Sequence, residues 1–142
     1  MRMKVALAGC VLALLSFSAS ALNVAMSVSS DGDGKPTISG QTNLPDETEL
    51  IVGIQLVGGK YFAQSEATVK GGKFSAGKFS DGDAALPLVL YTIEVSSGMA
   101  AVQPESVQSV FGHEGENLKG RYVKTLGVGG SYVNFSTKMQ LP

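Results

Sequence analysis

Residues 35–56 read K-P-T-I-S-G-Q-T-N-L-P-D-E-T-E-L-I-V-G-I-Q-L and decide the fold. A short β-type run with Ile38 directed inward comes first, and a loop held by Pro45 follows it. The next run, residues 49–57, is the most apolar of the chain and alternates apolar residues on both parities. Such a run predicts a central strand that is covered on both faces. We interpret residues 43–46 as a turn that sets strand register, with Pro45 as its structural residue.

The same alternation and the same turn chemistry continue on both sides of this unit. Turn clusters and glycine pairs separate short runs of period two, and Gly58-Gly59 and Gly71-Gly72 fit two-residue hairpin loops. Besides the two runs above, the predicted strands cover residues 22–30, 61–70, 73–79, 88–95, 120–126 and 131–140. This pattern predicts an all-β fold, a single antiparallel β-sandwich of about eight strands.

Residues 104–111 differ from the rest of the chain. Val107, Val110 and Phe111 are spaced at i, i+3 and i+4, Pro104 suits the first helical turn, and Gly112 suits the end. The spacing predicts one short helix near the C-terminal third, with an irregular strand as the alternative.

The N-terminus has the three parts of a secretory signal peptide. Arg2 and Lys4 precede an apolar run of about 13 residues, which is too short to span a bilayer, and Ala19-Ser20-Ala21 is a small-x-small cleavage site. We therefore expect residues 1–21 to be removed and residues 22–142 to form one domain, located in the periplasm or outside the cell. The alternative is lipidation at Cys10, since Leu7-Ala8-Gly9-Cys10 resembles a bacterial lipobox.

The expected mature chain has 121 residues, with nine basic residues against twelve acidic ones, so its net charge is −3. No basic stripe is present, which argues against nucleic acid and anionic membrane as partners. Without Cys10 no cysteine remains, and this excludes disulfide-stapled toxins, zinc–thiolate sites and cysteine nucleophiles. We expect no membrane span in the mature chain and no cofactor, and the sequence leaves the oligomeric state open.

Two Asp-Gly loops, residues 31–34 and 81–83, resemble calcium loops at first sight. Counted from Asp31, positions 5 and 12 of an EF-hand loop fall on Lys35 and Thr42, and neither loop supplies the bidentate glutamate. Aspartate and glycine are also common turn formers. We interpret both loops as structural turns, with a weak calcium site as the alternative.

His113 is the single histidine of the chain, and Glu114 and Glu116 lie beside it. An acid–base or metal site needs further ligands or an orienting partner, and H-E-x-x-H needs a second histidine. The serines do not occur in G-x-S-x-G. The sequence therefore favours a protein that is not an enzyme, and a site around His113 is the remaining enzymatic alternative.

The stretch I-x-G-x-T-N-L-P-D-x-T-x-L at residues 38–50, with Leu86-Pro87 ahead of Tyr91, resembles immunoglobulin-like and transthyretin-like sandwich domains of exported bacterial proteins. The resemblance covers about 60 residues and implies that the hydroxyl of Tyr91 bonds back to the backbone, as in a tyrosine corner. Domains of this type are mostly adhesive, scaffolding or binding modules. Residues 103–120 are similar to the tails of small exported proteobacterial proteins.

We expect a non-enzymatic module that binds another protein or an envelope component. Loops on a rigid scaffold carry binding, and the candidate surface consists of Glu105, Gln108, His113, Glu114, Glu116, Asn117 and Lys119. The alternative for this segment is a cap on the sandwich, packed through Val107, Val110 and Phe111. A second functional hypothesis is binding of a small ligand or carbohydrate on the aromatic residues Tyr61, Phe62, Tyr122 and Tyr132, although these rings equally suit packing.

Overall fold

The computed structural model describes residues 21–128 and 130–142. The predicted signal peptide lies outside the described residues except for Ala21, and so does Cys10. These residues form one short α-helix, α1 (Glu105–Phe111), one 3-10 turn (Ala100–Val102), and ten strands. The strands are β1 (Leu22–Asn23), β2 (Met26–Ser30), β3 (Ile38–Thr42), β4 (Glu49–Leu56), β5 (Phe62–Thr68), β6 (Lys73–Ala76), β7 (Val89–Ser96), β8 (Leu118–Lys119), β9 (Val123–Leu126) and β10 (Gly130–Leu141).

The strands form a five-stranded antiparallel sheet, a three-stranded antiparallel sheet and a small parallel pair. The larger sheet has the order β5-β4-β7-β10-β9, the smaller one has the order β2-β3-β6, and β1 pairs with β8. The all-β class, the antiparallel sheets and the short helix are thereby confirmed. The parallel β1–β8 pair is an addition that no local pattern indicated.

Strand β4 is internal, as predicted, because it pairs with both β5 and β7. The prediction that it is covered on both faces is wrong. Leu50, Val52 and Ile54 are buried, whereas Ile51 on the opposite face is 45% exposed. The apolar residues on both parities suggested two covering layers, but the core lies on one side of the sheet, and the other side faces solvent.

The hairpin at Gly71-Gly72 carries the chain from the larger sheet to the smaller one. Lys70 and Lys73 exchange both backbone hydrogen bonds across it, and both glycines have positive φ, 58° and 76°. The two-residue loop predicted there is confirmed. The one predicted at Gly58-Gly59 is wrong, because residues 57–61 separate β4 from β5 and the loop closes through a bond from Leu56 N–H to Tyr61 O.

The predicted first strand is divided into β1 and β2 by a change of partner. Val24 N–H donates to Lys119 O, whereas the residues from Met26 onward pair with β3. The side chain of Asn43 bridges the break: its Oδ1 accepts from Ala25 N–H at 2.8 Å, and its Nδ2 donates to Asn23 O at 2.8 Å. Asn43 therefore ties β1 to the residue that precedes β2. Residues 43–46 lie between β3 and β4, which belong to different sheets, and their role in setting register stays a prediction.

Buried side chains from both antiparallel sheets meet in one core. Ile38 and Phe74 come from the smaller sheet, and Val52, Tyr91 and Val133 from the larger one. Tyr91 is completely buried, and its hydroxyl donates to Pro87 O at 2.9 Å. This bond confirms the backbone contact that was expected of Tyr91, and it closes the turn that leads into β7.

The predicted helix is confirmed over residues 105–111, with Gly112 immediately after its end. Val107 and Phe111 are fully buried, and Val110 is exposed. The expectation that all three face inward is wrong for Val110, because a two-turn helix lying on the core buries only the narrow stripe that points at it.

Candidate functional site

The segment of residues 103–119, called the connecting segment below, carries the predicted interaction surface. Gln103 anchors its start. The buried amide donates from Nε2 to Glu49 O at 2.9 Å and to Ser97 O at 2.6 Å, and its Oε1 accepts from Glu49 N–H at 2.8 Å. At Glu49, the first residue of β4, the Gln103 side chain thus makes the backbone hydrogen bonds that a neighbouring strand would otherwise make.

The middle and the end of the connecting segment are held equally well. Val107 and Phe111 belong to the core. Glu114 O accepts from Ser131 N–H at 2.8 Å, and Asn117 O accepts from Leu22 N–H at 2.7 Å. An irregular segment is therefore attached to β4, β10 and β1, and the capping interpretation agrees with the burial of Val107 and Phe111.

The seven predicted surface residues fall into two groups. Gln108 and Asn117 are half-buried and serve the segment itself: Gln108 Nε2 donates to Gln103 O at 2.8 Å, and Asn117 Nδ2 donates to Val110 O at 3.1 Å. The other five are exposed and charged or titratable, namely Glu105, His113, Glu114, Glu116 and Lys119. The exposed group is the part of the prediction that is available to a partner.

The polar contacts of the His113 region lie within its own loop and the preceding helix. His113 Nδ1 lies 3.2 Å from Gln108 Oε1, and Glu116 Oε1 accepts from Glu114 N–H at 2.9 Å. Backbone N–H groups of Glu116 and Glu114, aided by the charge of His113, hold the pKa of the Glu116 carboxyl below its ordinary value. These contacts stabilise the charged form of the Glu116 carboxylate in its loop.

The Asp-Gly loop of residues 31–34 uses its carboxylate oxygens to hold its own backbone, whereas Asp81 and Ala84 exchange backbone hydrogen bonds in the other loop. Asp31 Oδ1 accepts from the N–H groups of Asp33 and Thr37, both at 3.1 Å, and Asp33 Oδ1 accepts from Lys35 N–H at 2.9 Å. The two bonds that the Asp31 carboxylate accepts, from the N–H groups of Asp33 and Thr37, lower its pKa. The contacts support the turn interpretation, and within residues 21–128 and 130–142 no three His, Cys, Asp or Glu side chains are grouped for a metal ion.

The four aromatic residues do not share an exposed face. Phe62 is 54% exposed, but Tyr61, Tyr122 and Tyr132 are half-buried. Tyr61 donates to Ser80 O at 2.7 Å and meets Tyr91 edge to face, with ring centroids 6.3 Å apart. Tyr122 packs in the same way on Phe135, at 5.0 Å. Packing accounts for Tyr61 and Tyr122, and no aromatic platform is formed.

Sequence reasoning did not find a hollow of about 280 Å³ beside the Gln103 anchor. Exposed apolar side chains of Ile51 and Val102 line it, together with Glu49 and Glu66. The apolar residues at odd positions of β4 were the available signal. They were assigned to a covered face, whereas they form an open one.

The comparisons with known proteins add no relative. No family model matches the chain, and no curated protein or solved structure matches it significantly. In the part of the chain that the structure describes, no helix has the length and apolar character needed to cross a bilayer.

Proposed function

We propose that the protein is a non-enzymatic binding module, exported to the periplasm or the cell exterior, with its two antiparallel sheets as the layers of an immunoglobulin-like or transthyretin-like sandwich. The observation that carries the proposal is the rigid attachment of the connecting segment. Irregular backbone that is held at both ends and packed in its middle presents side chains in one arrangement, and this lowers the entropy lost on binding.

The exposed charges indicate the kind of partner. Glu105, Glu114 and Glu116 contribute three negative charges and Lys119 one positive charge, so the surface is acidic on balance. The apolar hollow lined by Ile51 and Val102 adjoins Gln103 at the start of the same segment. A protein partner with a basic rim around an apolar side chain fits both features, since complementary charges speed and direct association.

The test is affinity capture from the cell envelope and the medium at low salt, with the protein as the cell processes it. The Glu105→Gln/Glu114→Gln variant removes two exposed charges that hold no described side-chain contact. The matched control, Asp83→Asn/Glu94→Gln, removes two exposed charges that lie outside both the connecting segment and the hollow.

We expect a partner that is retained by the native protein and the control, lost with the Glu105→Gln/Glu114→Gln variant, and released by salt. Equal recovery with both variants would place the partner elsewhere on the molecule. Recovery of nothing by the native protein at low salt would contradict the proposed function.

A further inference from the structure

The outward face of the three-stranded sheet is a regular array of polar side chains. The register places Ser29, Ser39 and Ser75 in one row across β2, β3 and β6. A second row runs Ser27, Gln41, Lys73. All six side chains are exposed, whereas Met26, Ile38, Phe74 and Ala76 on the other face are buried. Neighbouring strands lie about 4.8 Å apart, so the rows repeat at a spacing suited to a chain of polar groups.

This array forms the floor of a hollow of about 700 Å³. Its other lining residues are Val28, Gly40, Thr68, Lys70 and Phe74. The volume lies in the range of about 300–1,000 Å³ that is usual for small-ligand sites. Serine side chains are short, and this keeps the floor low beneath the longer side chains of Gln41, Lys70 and Lys73.

The lining has one sign of charge. Its outward side chains are hydroxyls, one amide and the ammonium groups of Lys70 and Lys73, and none of the lining residues is acidic. Among the described residues, neither ammonium has a carboxylate within 4.0 Å. One carboxylate reaches the hairpin itself, since Asp46 Oδ1 accepts from Gly71 N–H at 2.8 Å. It holds the turn and does not line the hollow.

The two lysines occupy an unfavourable position in the absence of a ligand. They lie directly opposite each other across the Gly71-Gly72 turn, where they exchange both backbone hydrogen bonds. Like charges at such a pair repel, because their side chains leave the hairpin on the same side. An anion seated between them would relieve that repulsion, and the tight turn keeps both groups in place for it.

We propose that this hollow binds an anionic saccharide, an oligosaccharide with carboxylate groups whose hydroxyls meet the serine rows and whose charge meets Lys70 and Lys73. The serine hydroxyls and the Gln41 amide both donate and accept hydrogen bonds, as sugar hydroxyls require. No exposed aromatic ring lines the hollow, as the Phe74 ring is buried, so charge and hydrogen bonds supply the affinity. The site lies on a different sheet from the connecting segment and stands independently of the proposed function.

The test is calorimetric titration of the protein, as the cell processes it, with tetragalacturonate. Maltotetraose serves as the neutral sugar of equal length, and acetate as the simple anion. Amide chemical shifts, followed by NMR in the same titration, locate the site. We expect tetragalacturonate to bind, with amide shifts confined to β2, β3, β6 and the Lys70–Lys73 hairpin. We expect its affinity to fall as the salt concentration rises. We expect the two controls to bind at least about tenfold more weakly.

Two pairs of variants separate charge from shape. Lys70→Gln/Lys73→Gln should weaken binding of tetragalacturonate at least about tenfold, whereas Lys60→Gln/Lys124→Gln, which removes two exposed lysines outside the hollow, should not. Ser39→Val fills the centre of the array without a change of charge and should also abolish binding. Ser136→Val, on an exposed position of β10, should leave it intact.

Several results would overturn the proposal. No binding of tetragalacturonate would do so, as would acetate binding as tightly as the tetrasaccharide, since a simple anion site needs no serine array. If maltotetraose bound as tightly as tetragalacturonate, the charges of Lys70 and Lys73 would not contribute to binding, which also contradicts the proposal. Thermal unfolding of each variant shows that it is folded, so that a loss of binding is assigned to the hollow.

Discussion

At the scale of single residues, Gly40 shows how closely the smaller sheet is packed. Gly40 pairs with Phe74 across β3 and β6, and a Cβ built on Gly40 would overlap the Phe74 ring. The ring lies in the space that any other residue at position 40 would need. The absence of a side chain at Gly40 therefore makes room for the buried Phe74 ring on the inner face of this sheet.

Gly40→Ala should lower the free energy of unfolding by about 2 kcal/mol, because the added methyl group must displace the ring from a filled core. Urea unfolding measures the loss as a lower midpoint at unchanged slope. Gly127→Ala is the matched control, since its Cβ would meet nothing within 4 Å and its backbone needs no positive φ.

A second substitution tests the cause of that loss. Phe74→Leu replaces the ring with a shorter branched side chain, so Gly40→Ala should cost less in the Phe74→Leu background than in the native protein. Equal costs in both backgrounds would show that the ring is not the obstacle.

Asn43 and Tyr91 act at the same scale through hydrogen bonds. Asn43 joins the backbones of Asn23 and Ala25, and the Tyr91 hydroxyl reaches Pro87 O. Tyr91 was singled out in the sequence by its turn context, whereas Asn43 was only part of the turn at residues 43–46. The Tyr91 contact spans four residues and was predicted from the resemblance to a tyrosine corner, whereas the Asn43 contacts span 18 and 20 residues and were not predicted.

At the scale of elements, the attachment of the connecting segment depends on one buried amide. Gln103 is only 4% exposed; two of its side-chain hydrogen bonds replace a strand neighbour for Glu49, and the third goes to Ser97 O. Gln103→Leu should lower the free energy of unfolding by about 2–3 kcal/mol, because it leaves Ser97 O and the Glu49 backbone without their partners.

Urea unfolding measures this loss, and hydrogen exchange at the Glu49 amide should become faster in the variant. Gln140→Leu makes the same chemical change at an exposed position of β10. If the two variants lose the same stability within about 0.5 kcal/mol, Gln103 is not an anchor.

The periodic pattern predicted most elements but not how all of them are covered. Strands β3, β4, β7 and β10 and helix α1 all appear where their patterns placed them. Ile51 and Val110 were assigned to buried faces and are exposed. Periodicity indicates which residues share a face, but it does not indicate how many layers lie beyond that face.

At the scale of the whole molecule, two exposed carboxyls link stability to pH. Hydrogen bonds from backbone N–H groups lower the pKa of Asp31 below its ordinary value of 3.8 and the pKa of Glu116 below 4.5. Each of the two charged carboxylates therefore stabilises the fold at pH values above its ordinary pKa. This contribution is lost as pH falls through the lowered pKa of the folded state.

Stability should accordingly decrease as pH falls from about 5 to about 3, and the Asp31→Asn/Glu116→Gln variant should show a shallower decrease. Thermal unfolding across this pH range measures both slopes. Glu66→Gln/Glu94→Gln removes the same number of charges from carboxylates that accept no hydrogen bond from the described residues. A slope for the Asp31→Asn/Glu116→Gln variant as steep as that of the native protein would contradict the assignment.

Local patterns of the sequence predict the all-β class, the short helix and the Gly71-Gly72 turn. Each depends on periodicity or turn chemistry within about ten residues. Only the tertiary structure decided that the chain changes sheets at Gly71-Gly72, that β1 pairs with β8, and that Gln103 completes β4 from 54 residues away. It also aligned the serines of three separate strands into rows. These pairings depend on contacts between distant segments, which form because they bury the core together, and no local pattern records them.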